Sequence, residues 1–158
     1  MAHAACTGAS PDTAGAPRSS LLHTVKQVEL AIRSFLDDLL RPAGISAPQY
    51  TALTELRRHD GLSSAQLARS SFVTPQSMAD VVTGLEQRGL ITRRRNPANR
   101  RVLLISLTEA GQEVLGTYDD AVNALEERML SGLTERQRRK LEDYLHRCRS
   151  ALSDPSAH

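Results

Sequence analysis

Residues 62–108, LSSAQLARSSFVTPQSMADVVTGLEQRGLITRRRNPANRRVLLISLT, decide how this chain is read. Ser63-Ser64 offers a cap for a short helix carrying Leu67 and Ala68, and the small Ala68 side chain suits a close crossing by a neighbouring helix. Ser70-Ser71-Phe72-Val73 makes the turn. Thr74 is then a good N-cap, with Pro75 at the first helical position, where its missing N–H costs nothing. Met78, Val81, Val82 and Leu85 recur at helical spacing and form a buried stripe, which leaves Gln76, Ser77, Asp80, Thr83 and Gln87 on the opposite face. Gly89 supplies the left-handed residue that closes such a helix. Leu90 to Thr92 and Val102 to Leu107 are apolar or β-branched runs on either side of Asn96-Pro97-Ala98-Asn99, so they predict a two-stranded hairpin. Helix, turn, helix and hairpin in that order make a helix-turn-helix followed by a wing, a device for reading DNA.

The charge distribution supports this reading. Six arginines and no acid lie between Arg88 and Arg101, although the net charge of the 158-residue chain is only +2. Arginines on a hairpin tip suit phosphates or a narrow minor groove, where the potential is most negative. A charged hairpin also guards a sheet edge against aggregation, but the helix pair beside it favours the DNA reading. Base contacts fall to Thr74, Gln76, Ser77 and Thr83, with Gln76 able to bond adenine through two atoms. Arg94, Arg95, Arg100 and Arg101 are the backbone-contact candidates.

Long amphipathic helices flank this core. Leu21, Val25, Val28, Ile32, Phe35, Leu36 and Leu39 recur at three- and four-residue steps in a helix that ends before Pro42 and Gly44. A connector starts near Thr108 and carries Val114, Leu115, Tyr118, Val122, Leu125 and Met129. It holds six acids from Glu109 to Glu127 and no base before Arg128, so its exposed face turns from DNA or pairs with arginines elsewhere. The last helix begins at Thr134 and repeats Leu141, Leu145, Cys148 and Leu152, a seam for another helix. The expected architecture is mainly α with a small β-hairpin wing: a winged helix-turn-helix core at 45–108 within a single domain at 20–152, flanked by helices at 20–41 and 109–152 whose stripes suit either dimerisation or packing within one chain. Residues 1–19 are almost free of large apolar side chains and read as a disordered tail, and 153–158 as a flexible C-terminus. The start lacks the basic and apolar segments of a secretory signal, and no apolar run is long enough to span a bilayer. The expected location is the cytoplasm, with no membrane partner.

Pro48-Gln49-Tyr50 before Leu53 and Leu56, Thr74-Pro75-Gln76-Ser77, Leu85-Glu86-Gln87-Arg88-Gly89-Leu90-Ile91, and Arg100-Arg101 leading to Leu107-Thr108-Glu109-Ala110-Gly111 resemble the MarR family of bacterial transcriptional regulators. The resemblance runs from about Leu21 to Leu152 and implies a homodimer that binds a pseudo-palindromic double-stranded operator and is often released by a small ligand. Two departures stand out. The family's Asp-x-Arg wing motif is here Asn99-Arg100-Arg101, so an amide stands where an acid would orient the arginine. The recognition helix is also poor in cations, with Asp80 and Glu86 against Arg88 alone.

The resemblance places an effector pocket between the first helix, the helix from Pro48 to Arg57 and the start of the connector. Phe35, Tyr50, Arg57 and Tyr118 are its candidates for stacking and for pairing an anionic group, and each is equally explained as core or solvated surface. The expected function is a repressor released by a small organic ligand, an aromatic acid among the candidates. The alternatives are an effector-independent or architectural DNA-binding protein and a thiol-based redox sensor. One branch of the family senses hydroperoxides through a thiol on its first helix, but here that helix has no cysteine. Cys6 lies in the tail, and Cys148 reads as a small core hydrophobe. No catalytic motif, cofactor loop or metal-ligand cluster is visible in the sequence, and five scattered histidines supply none. The chain is therefore read as a non-enzyme without cofactor or metal.

Overall fold

A computed structural model describes residues 20–153 of the chain. The expected tail at 1–19 and all but Ser153 of the expected flexible C-terminus lie outside the described residues. Ser153 itself ends the last helix, where its hydroxyl donates to the Arg149 carbonyl at 2.9 Å.

Helix α1 (Leu21–Leu40) passes into one 3-10 turn, Arg41–Ala43, that ends at Gly44 with a φ of 62°. The helical pattern stops there because Pro42 removes a backbone donor and Gly44 takes a left-handed conformation that disfavours a Cβ. Helix α2 (Ala47–Arg58) opens with a reciprocal capping box between Ser46 and Gln49. Strand β1 (Leu62–Ser63) leads into α3 (Ser64–Ser70), which Ser63 and Gln66 cap in the same way. Helix α4 (Pro75–Gln87), strands β2 (Ile91–Arg95) and β3 (Leu103–Leu107), and helices α5 (Glu109–Leu130) and α6 (Glu135–Ser153) complete the described chain.

The sheet has three antiparallel strands in the order β1-β3-β2, one more than the hairpin expected from sequence. Leu62 pairs with Ile105 and Ser63 with Leu104, so β3 is central and the wing is anchored on the helical body. Two residues are too few to display a period of two, which is why β1 has no signature in the sequence.

The core fills the space between α2, α3, α4, the sheet and the start of α5. Leu53, Leu56, Leu67, Met78, Leu85, Ile105 and Leu115 are shut from solvent, and no polar or charged residue is buried among the described residues. Gly111 is required by a close approach. A Cβ there would lie 2.2 Å from the Leu90 carbonyl oxygen, which also accepts the Thr108 amide at 3.1 Å. The Leu-Thr-Glu-Ala-Gly stretch thus docks α5 directly on the segment between α4 and β2.

The outer helices are different. Leu21, Leu22 and Leu152 are 77%, 79% and 80% exposed, and α6 buries none of its residues within the chain. Cys148 is exposed on this helix, not part of a core as expected, because the stripe on which it lies has no covering element in the described chain.

Candidate nucleic-acid interface

Helix α4 is fixed at both ends by local chemistry. The Thr74 hydroxyl oxygen accepts the Ser77 amide at 3.1 Å, and its proton goes to the Ser77 hydroxyl at 2.9 Å. At the other end Gly89 has a φ of 69°, its amide donates to the Glu86 carbonyl at 2.8 Å, and the Leu90 amide donates to the Leu85 carbonyl at 3.0 Å. These two bonds form the Schellman ending that glycine permits. Met78, Val82 and Leu85 lock one face into the core, while Gln76, Asp80, Thr83 and Gln87 are exposed. Gln76 and Thr83 make no side-chain hydrogen bond among the described residues. Ser77 is partly committed to the cap and also borders a groove toward α1.

The turn before α4 carries an unusual residue. Phe72 has a φ of 52°, and with its amide on the Arg69 carbonyl and the Val73 amide on the Ala68 carbonyl it closes α3 as a glycine would. Helix α2 crosses α4 closely at Gly84, where a Cβ would lie 2.9 Å from Gln49 Nε2. Neither feature was singled out in the sequence, although glycine within a helical pattern is a signal for close approach.

The six arginines divide into two groups. Arg88 donates to the Ala43 and Gly44 carbonyls, pinning the end of α4 to the turn before α2. Arg93 is ion-paired with Glu86 of α4. These two are engaged within the fold. Arg94, Arg95, Arg100 and Arg101 are exposed and carry no ion pair among the described residues. Arg95, Arg100 and Arg101 stand at or beside the wing tip. Arg94, on the other face of β2, borders a polar cleft of about 660 Å³ shared with Arg57, Gln112 and Asp119. The tip is held without a carboxylate: the Asn96 side chain accepts the Ala98 amide at 2.9 Å, and the Asn99 side chain accepts the Arg101 amide at 3.2 Å. The amide at 99 therefore orders the backbone of the wing arginine.

The four effector candidates do not line one cavity. Arg57 Nη1 binds both Asp119 oxygens, at 2.8 and 2.9 Å, and this hydrogen bonding raises its pKa further above the ordinary range. Tyr50 is 6% exposed; burial, then the nearby Asp119 charge, pushes its phenol above the usual range. Tyr118 is partly buried against the core, and Phe35 lies on α1 beneath the Arg128 guanidinium, 4.8 Å from the ring centre. A separate apolar groove of about 560 Å³ runs between α1, α2 and α4. The turn before α4 and Leu145 of α6 also line it, and among the described residues no side chain of α5 does.

Among the described residues no group of three or more His, Cys, Asp or Glu side chains is placed to hold a metal, and no helix is long and apolar enough to cross a membrane.

Comparison with known proteins agrees with this geometry. Residues 45–103 match the family model described as MarR family. The HTH-type transcriptional repressor Rv2887 of Mycobacterium tuberculosis is 34% identical over 132 residues, covering 84% of this chain and 93% of the relative. The crystal structure of that MarR family protein in complex with salicylic acid is similar with a TM-score of 0.66 and 31% identity, over 84% of this chain and 98% of the other. The transcriptional regulator SlyA shares the fold at a TM-score of 0.79 and 24% identity, over 85% and 95% of the two chains.

Proposed function

The chain belongs to the MarR family of DNA-binding transcriptional regulators, which are not enzymes, and from that premise we propose that it is a homodimeric, sequence-specific repressor released by a small organic ligand. The observation that carries the DNA reading is the contrast on α4. Its back is buried through Met78, Val82 and Leu85, while Gln76 and Thr83 stand exposed and unengaged beside a wing with four arginines that make no ion pair among the described residues. Gln76, at the N-terminal turn, enters the major groove and reads base edges with Thr74, Ser77 and Thr83. Arg95, Arg100 and Arg101 take phosphates or the adjacent minor groove, and Arg94 reaches the backbone from the flank of the wing.

Dimerisation is supported by unburied apolar surface. Leu21 and Leu22 of α1 and Leu152 of α6 are each more than three-quarters exposed, an arrangement that a second copy would cover. In this reading residues 20–152 form one domain, α1, α5 and α6 join the two copies, and the protein works in the cytoplasm. The effector enters the groove between α1, α2 and α4, where Met78 and Val81 of the recognition helix form part of the wall. Occupancy then shifts the spacing of the two recognition helices.

Selection from a random duplex library tests the proposal. Recovered sites should hold an inverted repeat with half-sites about one helical turn apart, and sedimentation equilibrium should give twice the 17.3 kDa chain mass. A folded monomer, or recovery of no common sequence, would contradict it.

A further inference from the structure

The groove between α1, α2 and α4 has a chemical bias. Val25, Val28, Ile32 and Leu36 of α1 face Met78 and Val81 of α4 across it, and among the described residues no aromatic ring lines it. Among the described residues only two charged side chains border the cavity, Glu29 and Arg33, and they are bound to each other, with Arg33 Nε donating to Glu29 Oε1 at 3.1 Å. Both sit at the rim, their side chains 40% and 52% exposed. The second Glu29 oxygen accepts from Lys26 Nζ at 2.8 Å. Lys26, and after it Arg33, hold the Glu29 carboxyl below the usual range, so it stays ionised at neutral pH.

These features select against a carboxylate. An acid entering the groove would leave water for an aliphatic lining, and its one cationic partner is already shared with Glu29, whose like charge it would have to approach. Without aromatic walls, planarity brings no stacking gain. A neutral molecule meets neither charge penalty. We propose that the groove takes an uncharged, largely apolar organic molecule in preference to a small carboxylic acid. This rests on the groove being the effector site of the proposed repressor.

The test uses the para isomers of biphenylcarboxamide and biphenylcarboxylate, one skeleton without and with charge. Each is titrated by calorimetry into the full chain without DNA, and then added to the operator complex. The carboxamide should bind at least about tenfold more tightly than the carboxylate. Glu29→Gln should narrow that gap to under about threefold by removing the competing carboxylate. A carboxylate that binds as tightly as the carboxamide, or no saturable binding of either, would overturn the proposal. A chain that binds its operator but neither probe contradicts the ligand class alone. One that binds the carboxamide but selects no DNA supports the ligand class and contradicts the repressor reading.

Discussion

Arg93, the third residue of β2, is ion-paired with Glu86 in the last turn of α4, so the wing and the recognition helix are joined by their own side chains. The Arg93 side chain is 30% exposed and that of Glu86 41%, and Arg93 Nε is buried without a partner among the described residues. An ion pair this near the surface contributes little to stability, but it ties the base of the wing to the end of the recognition helix.

Glu86→Gln should therefore lower unfolding free energy by no more than about 1 kcal/mol, while weakening operator binding by a larger amount through the released wing. Denaturant melts paired with operator titrations check this. An equal decrease in both, or unchanged operator affinity, would show that the pair does not orient the wing.

Much of this region was legible in the sequence because its signals are local. Thr74-Pro75 announces the start of α4 and Gly89 its end, and both act through bonds spanning a few residues. The six arginines were not separable in the same way. Arg88 is tied to carbonyls more than forty positions away, at Ala43 and Gly44, and nothing in its immediate neighbours distinguishes it from Arg100. Strand β1 was hidden for a related reason: its pairing with β3 is long-range and only two residues long. Cys148 shows the limit of periodicity, which places a residue on a stripe without saying what covers it.

The exposed arginines make a separate prediction. Replacing Arg100 and Arg101 together by alanine should weaken binding to every DNA sequence and reduce the salt slope by about 1 for each phosphate that is no longer neutralised. Titrations at several salt concentrations measure it. Unchanged affinity and slope would leave the wing as an edge guard only.

Gly111→Ala should be severely destabilising, because its Cβ would lie 2.2 Å from a backbone oxygen that cannot swing away. The expected cost is about 3 kcal/mol, read as a lower denaturation midpoint. A near-neutral substitution would show that α5 does not sit this closely on Leu90.

Tyr50 links stability to alkaline pH. Its folded pKa is raised by burial, so above the ordinary tyrosine range the unfolded chain loses this proton first. The contribution is fully present below about pH 10 and declines as pH rises toward the folded value. Phenolate absorbance should show one late-ionising component that Tyr50→Phe removes, together with a flatter alkaline limb in the stability curve. A titration unchanged by the substitution would contradict the buried phenol.

The central claim is that α4 reads sequence, and Gln76 tests it most directly, since its side chain is exposed at the first turn and engages no other described residue. The measurement is a paired titration of wild type and Gln76→Ala on the selected operator and on a scrambled duplex at one salt concentration. Operator affinity should fall by about 1–3 kcal/mol while scrambled binding barely changes, because alanine cannot make the bidentate bond to a base and the phosphate interactions remain. Thermal stability should stay within about 0.5 kcal/mol of wild type. An equal fall on both duplexes, or none on either, would contradict sequence reading by this helix face.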